Sequence, residues 1–247
     1  SPNNAALAVV GDFEEAEARA WIEQYFGDIP SAEIPPQPDI SEPRQEEEKS
    51  FVKNDSLANK PALAVAYHMP ERNSPEYYAM GLLDQILVQG DNGLLVQKLE
   101  NEKGFTSNVS GGINYLGNMF NYKGPMLWMY DLTYDNDTSQ EEVLAAIEEV
   151  MSGLKDRLTQ EMLDQAIVKI RSQLYDNLGG SFGLGRADLL CSFALFDDNP
   201  GRINSLEDEF RNIDLETVRK TVDEYLRPGN RTVLVTNPLL AANEKTE

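Results

Sequence analysis

Two stretches alternating at period two, set among a train of capped amphipathic helices, predict an α+β protein: a mostly antiparallel sheet with helices packed on one face. Along residues 125–134, Met126, Trp128, Tyr130, Leu132 and Tyr134 alternate with Leu127, Met129, Asp131 and Thr133, as a half-buried strand does. Along 105–115, Phe105, Val109, Ile113 and Tyr115 alternate with Thr106, Asn108, Ser110 and Asn114, and Gly111-Gly112 marks a bulge or a close backbone approach. Strands and helices then come in groups rather than in strict βαβ order, which separates α+β from α/β.

The chain opens with a short apolar strand, ALAVVGD, at 5–11, and a helix at 14–26 whose stripe is Ala18, Trp21, Ile22, Tyr25 and Phe26. Acidic residues crowd the first turn of that helix, where its dipole favours them, and Gly27 and Pro30 stop it. Residues 30–49 carry Pro30, Pro35, Pro36, Pro38 and Pro43 and read as an extended, acidic linker. Strands follow at 50–54 and 61–68. Ser74 and Pro75 start a helix at 75–89 that buries Ala79, Leu82, Leu83, Ile86 and Leu87. A further helix at 93–103 ends at Gly104. Beyond the two alternating strands lie helices at 139–153, with a Ser139/Glu142 capping box, and at 160–178, 182–196, 205–211 and 215–226. RTVLVT at 231–236 is the closing strand.

Composition narrows the function. The 247 residues include 21 basic and 42 acidic side chains, a net charge of −21, with 41% hydrophobic residues. That is globular composition for one large domain or two modest ones. A basic face for phosphates is missing, so nucleic acid is not an expected partner, nor is an anionic membrane surface. No run approaches the ~18 apolar residues of a membrane span, and no signal peptide is visible at the start.

The single histidine, His68, is decisive for metal chemistry. Catalytic zinc takes about three protein ligands, mostly histidines, and H-E-x-x-H needs two. No common zinc site, and no catalytic metal, can be built here. His68, at a strand end, is expected to be a partly exposed structural residue, and the lone Cys191, in LLCSFALF, a buried small hydrophobe. The glycine-dense run Gly179–Gly185 lacks the Lys-Ser/Thr of a P-loop and misses G-x-G-x-x-G at Asp188, so it reads as a helix–helix turn with Ser181 as N-cap. No carboxylate pair has a distinctive spacing, and no catalytic residue is assigned.

Three separated segments carry a resemblance. PNNAALAVVGDF with its helix ending YFGDIP, then AYHMPERNSPEYYAMGLLDQIL with LLVQKLENEKGF, then NIDLETVRKTVDEYLRPGNRTVLVTNP, occur in the order found in the M16 metallopeptidases, relatives of pitrilysin, insulin-degrading enzyme and the mitochondrial processing peptidase. The start and end are also mutually similar, each a Pro-x-Asn turn feeding an apolar strand. The resemblance implies the fold of the LuxS/MPP-like metallohydrolases, a ferredoxin-like α+β domain. It implies that 1–29 are the last strand and helix of a preceding homologous domain, 30–49 a linker, and 50–247 the second, zinc-free domain.

On this reading zinc belongs to a missing N-terminal domain or a partner subunit bearing H-x-x-E-H, and the domain closes a chamber over a peptide substrate. Family members place an Arg and a Tyr seven residues apart near the substrate. Here those positions fall on Glu100 and Ser107, the weak substrate-binding candidates, with Lys98 and Phe105 in a slipped alignment. The alternative is a non-enzymatic structural or interaction subunit of the same fold, like the respiratory-complex core proteins; an unrelated α+β ligand-binding domain is the third reading. The apolar face of the first helix is expected either to lie against the main domain or to go with a homodimer paired through the edge of strand 5–11. The sequence does not state a compartment, and a soluble protein of the cell envelope or periplasm is preferred to a cytoplasmic one.

Overall fold

Burial along one strand sets the layer order. Trp128, Tyr130 and Leu132 are inaccessible, while Met129 and Asp131 between them are half-buried and Leu127 and Thr133 at the two ends face out. The computed structural model describes residues 1–180 and 184–239. In it, five strands, β1 (Lys49–Asp55), β2 (Ala62–His68), β3 (Val109–Ile113), β4 (Leu127–Thr133) and β5 (Arg231–Pro238), form one sheet in the order β1-β5-β2-β4-β3. The β1–β5 pair is parallel and the other three are antiparallel. The expected α+β class, mostly antiparallel, is the observed one.

The helices are α1 (Glu15–Phe26), α2 (Pro75–Leu87), α3 (Leu94–Val96, running into a π-helical stretch Gln97–Glu102), α4 (Gln140–Met151), α5 (Leu154–Arg157), α6 (Gln160–Gly179), α7 (Leu184–Asp197), α8 (Leu206–Arg211) and α9 (Leu215–Tyr225). Their ends follow the capping rules. Tyr77 N–H donates to Ser74 Oγ at 3.1 Å, Ser139 and Glu142 close the capping box, and Thr217 N–H donates to Asp214 Oδ1 at 2.8 Å. The Ser181 cap lies outside the described residues.

Helix α2 departs from the expected one-sided burial: every residue from Tyr77 to Leu87 is buried. It packs against β3 and is covered further by α6, α8 and α9. Gly81 permits this, since a Cβ there would meet Phe210 Cε1 at 3.0 Å and Met119 Cε at 3.1 Å. Behind α2, the Trp128 ring packs on Tyr67 and Tyr130, with centroids 5.7 and 5.3 Å away.

Two expected strands are corrected. Residues 5–11 run extended but pair with no described strand, because isolated apolar alternation supplies no partner for its backbone groups. Strand 105–115 shrinks to β3: Asn114 takes φ +59°, a left-handed turn that asparagine tolerates, and this swings Tyr115 out of the core. Tyr115 OH instead donates to Asp131 on the outer face of the sheet.

Candidate functional site

The sheet has one covered and one open face. Leu63, Val65, Tyr67, Val233 and Val235 point into the helices. On the reverse, the central strand shows Ala62, Ala64 and Ala66, flanked by Thr232, Leu234 and Thr236 on β5 and by Met129, Asp131 and Thr133 on β4. Small side chains at the centre and larger ones beside them make a shallow trough along β2, with hydroxyl and carboxylate groups on its flanks.

His68 sits where β2 leaves this face, as expected, half-buried with Nε2 3.5 Å from Glu42 Oε2. Its carbonyl accepts from Asn230 Nδ2 at 3.0 Å. Cys191 is half-buried rather than buried; its thiol donates to the Ala6 carbonyl at 3.7 Å, so the N-terminal arm partly covers it. No three His, Cys, Asp or Glu side chains among the described residues are grouped to hold a metal ion. Zinc therefore does not fit the donor set of the described residues.

Glu100 and Ser107 are separated in role. Glu100 lies on the π-helical stretch, and its Oε1 accepts the Val109 N–H at 2.6 Å, pinning the start of β3. Ser107 is exposed in the turn that follows Gly104, whose φ of +65° ends the helix. The slipped pair is not free either: Lys98 bridges Glu102 at 2.6 Å and Glu149 at 2.5 Å, and Phe105 packs on the core.

A cleft of about 680 Å³ opens between α2, the end of β3, the loop around Asn118 and the facing ends of α6 and α7. Asp84, Asp176 and Asp188 bring carboxylates to it, Gln85 and Gln89 amides, and Gly112 leaves its β3 wall unobstructed. No described Lys or Arg lines it. Asp84 is buried at its base, where Trp128 Nε1–H donates to Oδ1 at 2.8 Å. Burial pushes this carboxyl up to about 6, against the Trp128 and Gln89 hydrogen bonds that pull it down. Asp188 is held by Asn121 Nδ2 at 2.9 Å and Asn118 Nδ2 at 3.2 Å. Such walls receive hydrogen-bond donors and disfavour anions. No local pattern in the sequence marks the site; its one signal is Asp84 itself, an acid following Leu82 and Leu83 in a mostly apolar helix.

The comparisons agree on relationship. The zinc protease PqqE of Helicobacter pylori is 20% identical over 243 residues, 96% of this chain and 52% of that protein. The chain thus spans about half the length of the curated relative it matches. The crystal structure of a protease from H. pylori superposes with a TM-score of 0.81 at 17% identity, over 93% of this chain and 54% of that one. The periplasmic protease PqqL of Escherichia coli gives 0.67 at 17% identity, over 93% of this chain and 25% of its own. The family model described as the peptidase M16 inactive domain matches residues 1–169, more than half of the chain, and this protein belongs to that family.

Proposed function

We propose that this domain is the zinc-free half of an M16-type zinc metallopeptidase, and that it closes a peptide-binding chamber over a zinc-bearing domain or subunit. The observation carrying this is the family match, which begins at residue 1 and runs through the proline-rich segment into the sheet. A single histidine leaves the hydrolytic metal to the other half. The trough along β2, neutral at its centre, suits an extended peptide, and Ser107 is the candidate free to meet one. Glu100 acts through β3.

In this reading residues 1–29 belong to the preceding homologous domain, 30–49 link, and 50–247 form the domain proper. Supporting it, α1 buries none of its residues, and Trp21 and Tyr25 are 54% and 70% exposed. Several side chains of that size, each worth ~1.5–3 kcal/mol when buried, call for a surface to cover them. An envelope location is part of the reading, supported by the fold shared with periplasmic PqqL; no described helix is long and apolar enough to cross a membrane.

The test is reconstitution. This chain alone should neither retain stoichiometric zinc nor cleave peptides, and adding it to the zinc-bearing half should raise peptide turnover. Chelator-sensitive cleavage by this chain alone, or turnover by the other half that is unchanged by its addition, would overturn the proposal. In the latter case a structural or interaction role becomes the better reading.

A further inference from the structure

The two edges of the sheet are finished differently. At β3, Asn114 N–H donates to the Leu127 carbonyl at 3.4 Å, which sets the ladder so that Val109, Gly111 and Ile113 turn their backbone groups outward. Side chains occupy part of that row: Glu100 takes the Val109 N–H, and Gln89 Nε2 donates to the Gly111 carbonyl at 2.9 Å. At β1, Leu239 N–H donates to the Asp55 carbonyl at 2.9 Å, so Phe51, Lys53 and Asp55 bond toward β5 while Ser50, Val52 and Asn54 turn outward. No described residue caps these three.

β1 is also the one strand whose covered-side residues are bare. Val52 stands beside Val235 in register and on the same face, yet it is 62% exposed where Val235 is inaccessible. The helical layer stops short of β1. Phe51, on the open face beside Leu234, is 55% exposed. An uncapped edge with bare apolar residues is a template for another strand.

The sequence of β1, KSFVKND, identifies that strand. Laid antiparallel against itself about Val52, it sets Lys49 opposite Asp55 of the second copy, Ser50 opposite Asn54, Phe51 opposite Lys53, and Val52 opposite Val52. Opposite charges, a cation against an aromatic ring, two short polar chains and two valines then meet as favourable cross-strand pairs. The outward backbone groups of Ser50, Val52 and Asn54 fall in the hydrogen-bonded positions of that register. The two-fold axis runs normal to the sheet, midway between the two Val52 residues, so both helical layers stay on one side and the contact closes on itself.

We propose that β1 is a homodimerisation edge, joining two copies of this chain into a continuous ten-stranded sheet, twice the five strands of each. The strand is short, so the association is a weak one that responds to concentration.

Sedimentation velocity of the whole chain over a concentration series tests this. The wild type should pass from monomer to dimer below about 1 mM. Val52→Pro removes an N–H that the β1–β5 ladder does not use, so it should leave the circular dichroism spectrum unchanged and weaken dimerisation at least roughly tenfold. Lys49→Glu sets like charges across the axis and should also weaken it, and Lys49→Glu with Asp55→Lys should recover it; this pair decides the matter if the proline variant misfolds. A wild type that stays monomeric overturns the proposal. So do Val52→Pro and Lys49→Glu variants that associate like the wild type, an outcome that would place the contact on another surface such as α1.

Discussion

Asp84→Asn removes a charge from the base of the cleft while keeping an oxygen for the Trp128 Nε1–H. The native carboxyl titrates near 6 against an ordinary value of 3.8, so folding raises its proton affinity by about two pH units. At 1.36 kcal/mol per unit, holding Asp84 ionised costs about 3 kcal/mol at neutral pH. The sign follows from proton binding. Between pH ~4 and ~6 the folded state holds the proton more tightly than the unfolded chain, so this group's contribution to stability falls as pH rises and then levels off. Asparagine lacks that slope. Its new amide N–H groups need acceptors in a buried site, a penalty of about 1–3 kcal/mol if one goes unmet. The variant should therefore be more stable than wild type by about 1–2 kcal/mol near pH 7.5, with the advantage gone near pH 4. Urea unfolding across that range measures both slopes. A difference independent of pH, or a variant less stable at pH 7.5, would refute the assignment of Asp84 as a desolvated carboxyl.

Other outcomes follow from named contacts. The Asp197 side chain is 5% exposed and pairs with Arg72 (Nη2 2.8 Å, Nε 3.0 Å) and Arg202 (2.9 Å). Burial pushes its carboxyl up, but the Arg72 and Asn73 hydrogen bonds and the two guanidinium charges hold it below the ordinary value. Asp197→Ala should cost about 3–5 kcal/mol in denaturant unfolding, because two cations are left without their counter-ion. Removing residues 1–44 should change stability by less than about 1 kcal/mol, since Gln45 and its 2.7 Å bond to the Arg231 carbonyl stay; a truncated chain that fails to fold would make the arm part of this domain. Glu100→Ala should lose about 1–2 kcal/mol by orphaning the Val109 N–H, and hydrogen exchange at that amide should speed up; unchanged exchange would mean the bond is not formed in solution.

Local rules exposed most of the scaffold. The β4 alternation, the caps at Ser74 and Ser139, and the Gly104 stop are written in neighbouring residues, and these elements stand within a few positions of their expected places. What escaped is non-local. The Arg72–Asp197 pair joins positions 125 apart, and neither residue sits in a motif. Residues 5–11 show strand chemistry, yet a strand is a relation between two segments, and one segment cannot disclose a missing second. Tyr115 obeyed the parity of its stretch until a left-handed Asn114 broke it, a backbone choice that alternation does not encode. The candidate site stayed hidden for the same reason: α2, β3, α6 and α7 each hold a few ordinary side chains, and only their convergence makes a cleft.

The place of β5 in the sheet also governs how the chain can fold. It is the last described strand, and it inserts between the first two, with Thr232 pairing Lys49 across 183 positions. β1 touches no other described strand. Until residues 231–238 have been synthesised, β1 lacks its neighbour within this sheet and β2 carries an open side, so the described sheet cannot propagate from β1 onward as the polypeptide emerges. Closure of so long a loop belongs to the slow end of folding kinetics. A nascent chain arrested before residue 231 would keep α2 and the β2–β4–β3 unit as its only nucleus, and would display two aggregation-prone strands that the finished protein joins with a single eight-residue segment.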